Sequence, residues 1–75
     1  MNGYSNRETW ATVLVLMNTE VLYNQLQAGG NPIRVLAWGL NRVDINTGEP
    51  WVDRESLGDM SQVNWNEVSE ALNNV

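Results

Sequence analysis

The chain has 75 residues, nine acidic and four basic side chains, and a net charge of −5 at pH 7. This length corresponds to a single domain over residues 1–75. Histidine, cysteine and lysine are absent, so the commonest general base and the usual thiolate and amine nucleophiles are missing. We therefore expect a protein that is not an enzyme and that has neither a metal site nor a cofactor site.

The sequence also bounds where the protein works. A signal peptide needs a basic segment followed by an apolar one, and no such pattern is present. The longest apolar run is far shorter than the ~20 residues that a membrane span needs. Without cysteine, no disulfide can stabilise a small secreted domain. We expect a protein that does not bind membranes and that works in the cytoplasm.

The charge is distributed unevenly along the chain. Residues 1–43 carry three arginines and two glutamates, a net charge of +1, whereas residues 44–75 carry one arginine and seven acids, a net charge of −6. The acidic half repels phosphate backbones, so we expect no direct binding of nucleic acid. An acidic surface that imitates DNA is an alternative that this charge leaves open.

The first helix is predicted to begin near Ser5. Ser5 and Glu8 have the spacing of a capping box, and Asn6 is an alternative cap one residue later. A strand over 12–16 is the rival interpretation because this run is β-branched. Apolar residues at helical spacing define the face expected in the core: Trp10, Val13, Leu14 and Met17.

Two further helices are predicted before residue 44. Thr19 is a candidate N-cap of the second helix, which Gly29-Gly30 ends because glycine accepts the left-handed conformation. Asn31-Pro32 then has the order of an N-cap followed by a first helical residue. Gly39 inside this helix indicates either close packing or room for Trp38. The apolar face of the third helix consists of Ile33, Leu36, Leu40 and Val43.

The acidic half contains a turn and the last helices. Turn residues fill 46–50, and a short β-hairpin over 43–52 is left open. Asp53 is expected to cap a short helix, and Asn64 with Glu67 to cap the last one. The predicted apolar face of this helix consists of Trp65, Val68, Leu72 and Val75. The fold predicted is mostly α, a small single-domain bundle of about four helices.

Two tryptophans do not fit these apolar faces. Trp10 and Trp65 lie on predicted core faces, whereas Trp38 and Trp51 do not. Exposed tryptophans beside arginines are typical of binding hot spots, although closing the base of a small core is the alternative. These two tryptophans also leave open a homodimer formed through Trp38 and Trp51. The candidate protein-binding residues are Arg7, Arg34, Trp38, Arg42, Trp51, Asp53, Glu55 and Asp59.

Three segments carry a family resemblance. The segment 4–10 (YSNRETW), the segment 18–23 (NTEVLY) and the closing segment 63–72 (VNWNEVSEAL) resemble a family of small uncharacterised phage and phage-like proteins. The closing segment is also similar to the last helix of antirestriction proteins that imitate DNA. Residues 28–62 match no pattern of that family. The resemblance implies a viral accessory gene expressed in an infected bacterium, and it transfers no functional residue because the family has no assigned activity.

These observations lead to one expected function and two alternatives. We expect a phage-encoded accessory protein that binds a host protein in the host cytoplasm and modulates or inhibits it. The first alternative is an acidic DNA mimic with an antirestriction or other anti-defence function. The second is a minor virion or assembly protein.

Overall fold

A computed structural model describes residues 3–73 and confirms the prediction of a small, mostly helical bundle. Within this range there are five α-helices, and a 3₁₀ turn (Met60–Gln62) precedes the last of them. No helix in the described range is long and apolar enough to cross a membrane. The helices are α1 (Arg7–Asn18), α2 (Glu20–Gln27), α3 (Pro32–Leu40), α4 (Arg54–Leu57) and α5 (Trp65–Asn73).

Helix α1 is capped by Asn6 and not by Ser5. Asn6 has an extended backbone, and its Oδ1 accepts a hydrogen bond from Thr9 N at 2.8 Å. The capping box predicted at Ser5 and Glu8 is therefore wrong, and the alternative start one residue later is confirmed. The physical reason is that Ser5 donates instead to the carboxylate of Glu67, far away in the sequence.

The link between α2 and α3 follows the prediction. Gly29 has a φ of +98°, and the amides of Gly29 and Gly30 donate to the carbonyls of Leu26 and Gln25, which is the Schellman pattern. The side chain of Asn31 then accepts hydrogen bonds from the first two free amides of α3. These bonds satisfy both helix ends and turn the chain back in four residues.

The core faces differ from those predicted by helical spacing. Helix α1 packs against α2, α4 and α5, and its innermost face includes Thr9, Thr12 and Leu16, each fully buried. Both threonine hydroxyls are hydrogen-bonded, so their burial leaves no polar atom unsatisfied. Leu14 and Met17, predicted in the core, each keep 37% of their surface exposed.

The predicted apolar face of α3 is also only partly buried. Val35 and Leu36 are buried, whereas Ile33 is 50% and Val43 56% exposed. Leu40, which is partly buried, packs against the core. Helix α3 contacts α2 and α5, and a nine-residue helix on the outside of the bundle buries a narrow stripe rather than the whole predicted set.

The segment between α3 and α4 is a folded loop rather than a β-hairpin. A single antiparallel bridge joins Val43 to Pro50, and the described part of the chain contains no strand. Pro50 lacks the N–H that a longer ladder needs. The carboxylate of Asp44 accepts hydrogen bonds from the amides of Asn46 and Thr47, which closes the turn before Gly48.

The starts of α4 and α5 are capped as predicted, whereas Thr19, at the N-cap position of α2, makes no side-chain hydrogen bond to the helix. Asp53 Oδ1 accepts from the amide of Glu55 at the start of α4, and Gly58, with a φ of +73°, ends the helix. Asn64 Oδ1 accepts from Glu67 N at the start of α5. On α5, Val68 and Leu72 are buried and Trp65 packs against the core, whereas Val75 lies outside the described residues.

Gly39 allows α3 to approach α2 closely, which is the first of the two reasons that the sequence left open. A methyl group at this position would lie 2.6 Å from Leu22 Cδ2, and Leu22 is fully buried. The contact is too short for two carbon atoms, so any side chain here forces the helices apart or displaces Leu22.

We expect Gly39→Ala to lower the free energy of unfolding by about 1–3 kcal/mol, because overpacking outweighs the better helix propensity of alanine. Urea denaturation of four proteins tests this: the wild type, Gly39→Ala, Leu22→Val and the double variant. The shorter valine makes room, so Gly39→Ala should cost less in the Leu22→Val background. Equal costs in both backgrounds would show that the contact with Leu22 is not the cause.

Candidate protein-binding site

The two ends of the chain are joined by a network centred on Thr9. Thr9 Oγ1 donates to Asn6 Oδ1 at 2.6 Å and accepts from the amide of Asn64 at 2.9 Å. Asn6 Nδ2 donates to the carbonyl of Gln62 at 2.7 Å. The N-terminal caps of α1 and α5 are therefore hydrogen-bonded to each other. Asn6 and Gln62, which are 56 positions apart in the sequence, are joined by a hydrogen bond between neutral groups.

Glu67 makes a second connection between the termini. Its carboxylate accepts from the amide of Ser5 at 2.8 Å, from the Ser5 hydroxyl and from Asn64 Nδ2. The hydroxyl and amide of Ser5 lower the pKa of Glu67 below its ordinary value, because they favour the charged form. The residues that carry the family resemblance in segments 4–10 and 63–72 thus form one structural junction, with Ser5, Asn6, Thr9, Asn64 and Glu67 as its members.

Two tryptophans and an arginine form the most distinctive surface feature. The rings of Trp38 and Trp51 meet edge to face with centroids 5.4 Å apart. The guanidinium carbon of Arg42 lies 4.9 Å from the centre of the Trp38 ring, within the range of a cation–π contact. Trp51 N donates to the carbonyl of Arg42 at 3.1 Å, which fixes the loop against the end of α3.

The sequence left open whether these tryptophans close the core or form an exposed binding surface. They are partly buried and pack against the core, so they help to close it. Trp38 also borders an open groove of about 590 Å³ between α2 and α3. The groove is lined by Gln25, Gly29, Gly30, Asn31, Arg34, Val35 and Trp38.

The lining of the groove combines aromatic, cationic and glycine positions. Trp38 provides an aromatic wall, Arg34 a cation one helical turn away, and Gly29 with Gly30 a floor without side chains. Its lining contains no acidic residue. A partner can therefore place an apolar side chain beside Trp38 and a carboxylate beside Arg34 without meeting like charge.

Six of the eight predicted binding residues fall into two groups. Arg42, Asp53 and Glu55 line a neighbouring hollow of about 320 Å³, between the end of α3 and the start of α4. Arg34, Trp38 and Trp51 belong to the groove and the aromatic pair described above. Arg7 and Asp59 line neither the groove nor this hollow.

Three of the seven acids in the second half have local structural tasks. Asp44, Asp53 and Asp59 each accept a backbone N–H within their own turn or cap. These bonds lower the pKa of Asp44, and the Ser61 hydroxyl and amide lower the pKa of Asp59. Much of the negative charge of residues 44–73 therefore follows from the many turns and helix starts in this segment.

One exposed surface was missed by the sequence analysis. Trp10, which was predicted in the core, is only partly buried and lies beside a shallow hollow next to α1 together with Arg7 and Leu14. The available signal was that α1 is apolar on all sides, because a chain of this size cannot cover every face of its longest helix.

No family model, curated protein or solved structure matches this chain. The relationship to phage proteins stays a prediction from segments 4–10, 18–23 and 63–72.

The Thr9 junction predicts different effects for two buried threonines of one helix. Thr9→Val removes both bonds of the hydroxyl and leaves the amide of Asn64 unpaired, so it should lower the free energy of unfolding by about 1–3 kcal/mol. Thr12→Val is the matched control, because the Thr12 hydroxyl donates only to the Glu8 carbonyl within the helix. Chemical denaturation measures both, and equal losses would contradict the central role of Thr9.

The lowered pKa of Glu67 predicts a dependence of stability on pH. The unfolded chain binds a proton near the ordinary value of 4.5, whereas the folded chain binds it at lower pH, so this contribution is complete above that value and is lost as pH falls through the folded pKa. Ser5→Ala should therefore destabilise the protein at neutral pH and progressively less below pH 4.5. A difference in unfolding free energy that stays constant down to pH 2 would refute this assignment.

Proposed function

We propose that the protein acts by binding another protein through the groove between α2 and α3. The observation that supports this most is the position of Trp38, which has Arg42 over its ring at 4.9 Å, Trp51 at its edge and the open groove beside it. Tryptophan and arginine are enriched at the energetic centres of protein interfaces, and here packing already holds both rings in place. Such pre-organisation lowers the entropic cost of binding.

The groove also favours a particular kind of partner segment. Arg34 lines the groove together with Trp38, and Arg42 lies over the Trp38 ring, in a chain of net charge −5. A segment with an apolar or aromatic side chain next to acidic residues complements this arrangement. Arg34 is the stronger candidate for the acidic contact, because Asp53 and Glu55 share the hollow beside Arg42.

The identity of the partner rests on the resemblance alone. Similarity to phage accessory proteins makes a bacterial host protein the proposed target, with modulation or inhibition of that protein as the effect in the host cytoplasm. Imitation of DNA receives less support from the geometry, since Asp44, Asp53 and Asp59 occupy positions that turns and caps require. A role in the virion stays a prediction.

Capture from bacterial lysate followed by measured affinities tests this proposal. The immobilised chain should retain a specific host protein, and Arg34→Gln should weaken its binding about tenfold if Arg34 pairs with a carboxylate. Asn66→Asp is the matched control, because it changes the net charge by the same amount at an exposed position of α5, and it should leave the affinity within twofold. Equal weakening by both variants, or no retained protein from any plausible host, would reject the proposal.

A further inference from the structure

The loop of residues 44–49, between α3 and α4, presents an apolar side chain to solvent. Ile45 is 96% exposed, more than any other large apolar side chain of residues 3–73. Backbone hydrogen bonds hold the loop in shape: Asp44 N donates to the carbonyl of Glu49 at 2.7 Å, and Gly48 N donates to the carbonyl of Asp44 at 2.8 Å. Burial of such a side chain against another surface is favourable, and a preformed loop loses little freedom on binding.

Two acidic residues stand at the base of this loop. The hydrogen bond from Asp44 N to the carbonyl of Glu49 brings the two residues together on opposite sides of the turn, and Glu49 is exposed. The loop therefore presents an apolar side chain next to two carboxylates. This combination complements the groove between α2 and α3, where Trp38 offers an aromatic wall and Arg34 a cation.

The groove and the loop belong to parts of the chain with opposite charge. Residues 21–43, which include most of α2 and all of α3, contain two arginines and no acid, whereas residues 44–75 contain seven acids and one arginine. Two copies therefore attract each other when the loop of one faces the groove of the other, and they repel each other when two loops meet. Every copy of the chain thus carries a segment complementary to the groove.

We propose that the loop of one copy binds in the groove of a second copy, with Ile45 against Trp38 and the acids of the loop beside Arg34. This proposal rests on the groove of the proposed function being a binding site. The loop follows the C-terminal end of α3, whereas Arg34 lies in the first turn of that helix. The 96% exposure of Ile45 shows that the loop does not fill the groove of its own copy.

Each copy has one such loop and one such groove, so the contact is heterologous. A contact of this kind continues from copy to copy unless the rotation closes a ring. It is also small, because one apolar side chain and two carboxylates bury far less than the ~800 Å² per partner of a standard interface. We expect a dissociation constant on the order of 100 µM. At such concentrations the loop covers the groove and competes with the partner protein.

Sedimentation equilibrium of the purified chain up to about 1 mM tests this contact. The average mass of the wild type should rise with concentration and pass that of a dimer. Ile45→Ser and Arg34→Glu should each weaken association about tenfold. Leu14→Ser is the control, because Leu14 is an exposed apolar residue of α1, and it should change association less than about twofold. A wild type that stays monomeric or stops at a dimer, or equal weakening by Leu14→Ser and Ile45→Ser, overturns the proposal.

A mixture of the two weakened variants tests which surfaces meet. Ile45→Ser keeps an intact groove and Arg34→Glu keeps an intact loop, so one productive contact remains between unlike copies. The equimolar mixture should form a one-to-one complex with about the affinity of the wild-type contact, and this complex should stop at two copies. Circular dichroism confirms that both variants are folded, as expected for exposed side chains. A mixture that associates no better than the separate variants overturns the proposal.

The same variants separate this proposal from the proposed function. Ile45 does not line the groove, so Ile45→Ser should weaken self-association and still retain the host protein from bacterial lysate, whereas Arg34→Glu should weaken both. Retention of a host protein by a wild type that stays monomeric would reject self-association alone. Self-association without any retained host protein would reject the proposed function alone.

Discussion

The fold depends on one buried hydroxyl group that links the two ends of the chain. Thr9 is fully buried, and its oxygen completes the cap of α1 through Asn6 and satisfies the amide of Asn64 just before α5. A domain this short gains little from a core of its size and has no disulfide. Joining the N-terminal ends of two helices through shared caps therefore stabilises both helices with few residues. Ser5 and Glu67 add a charged hydrogen bond at the edge of the same junction.

Local chemistry in the sequence predicted the helix ends well. The Gly29-Gly30 stop, the Asn31-Pro32 start and the Asp53 and Asn64 caps were all confirmed, because caps and left-handed glycines act within four or five residues. The start of α1 was misjudged at Ser5 for a reason that no local rule contains: the partner of Ser5 is 62 residues away. Long-range pairing determined the role of this serine.

The core and the candidate site were harder to predict, because both depend on which helices pack together. Spacing marked Trp10, Val13, Leu14 and Met17 as the core face of α1. Only Val13 of these is buried, and Thr9 and Thr12 are buried with it. Threonine is usually counted as polar, but a hydroxyl with its hydrogen bonds made inside the structure can be buried at little cost. With these small side chains packed closely beside Leu16, the side chains of Trp10, Leu14 and Met17 lie on the outer side of α1.

The N-terminal motif and the exposed candidate surfaces therefore lie in different parts of the structure. The motif of segment 4–10 forms a junction, and the exposed chemistry lies in the groove beside Trp38 and along α1. Hydrogen exchange of the Asn64 amide in the unmodified protein is the most direct test of this account. The amide should exchange as slowly as those within α5, such as Val68, since its acceptor is the buried oxygen of Thr9. Exchange as fast as that of Asn46, which is bonded only within an exposed turn, would contradict it.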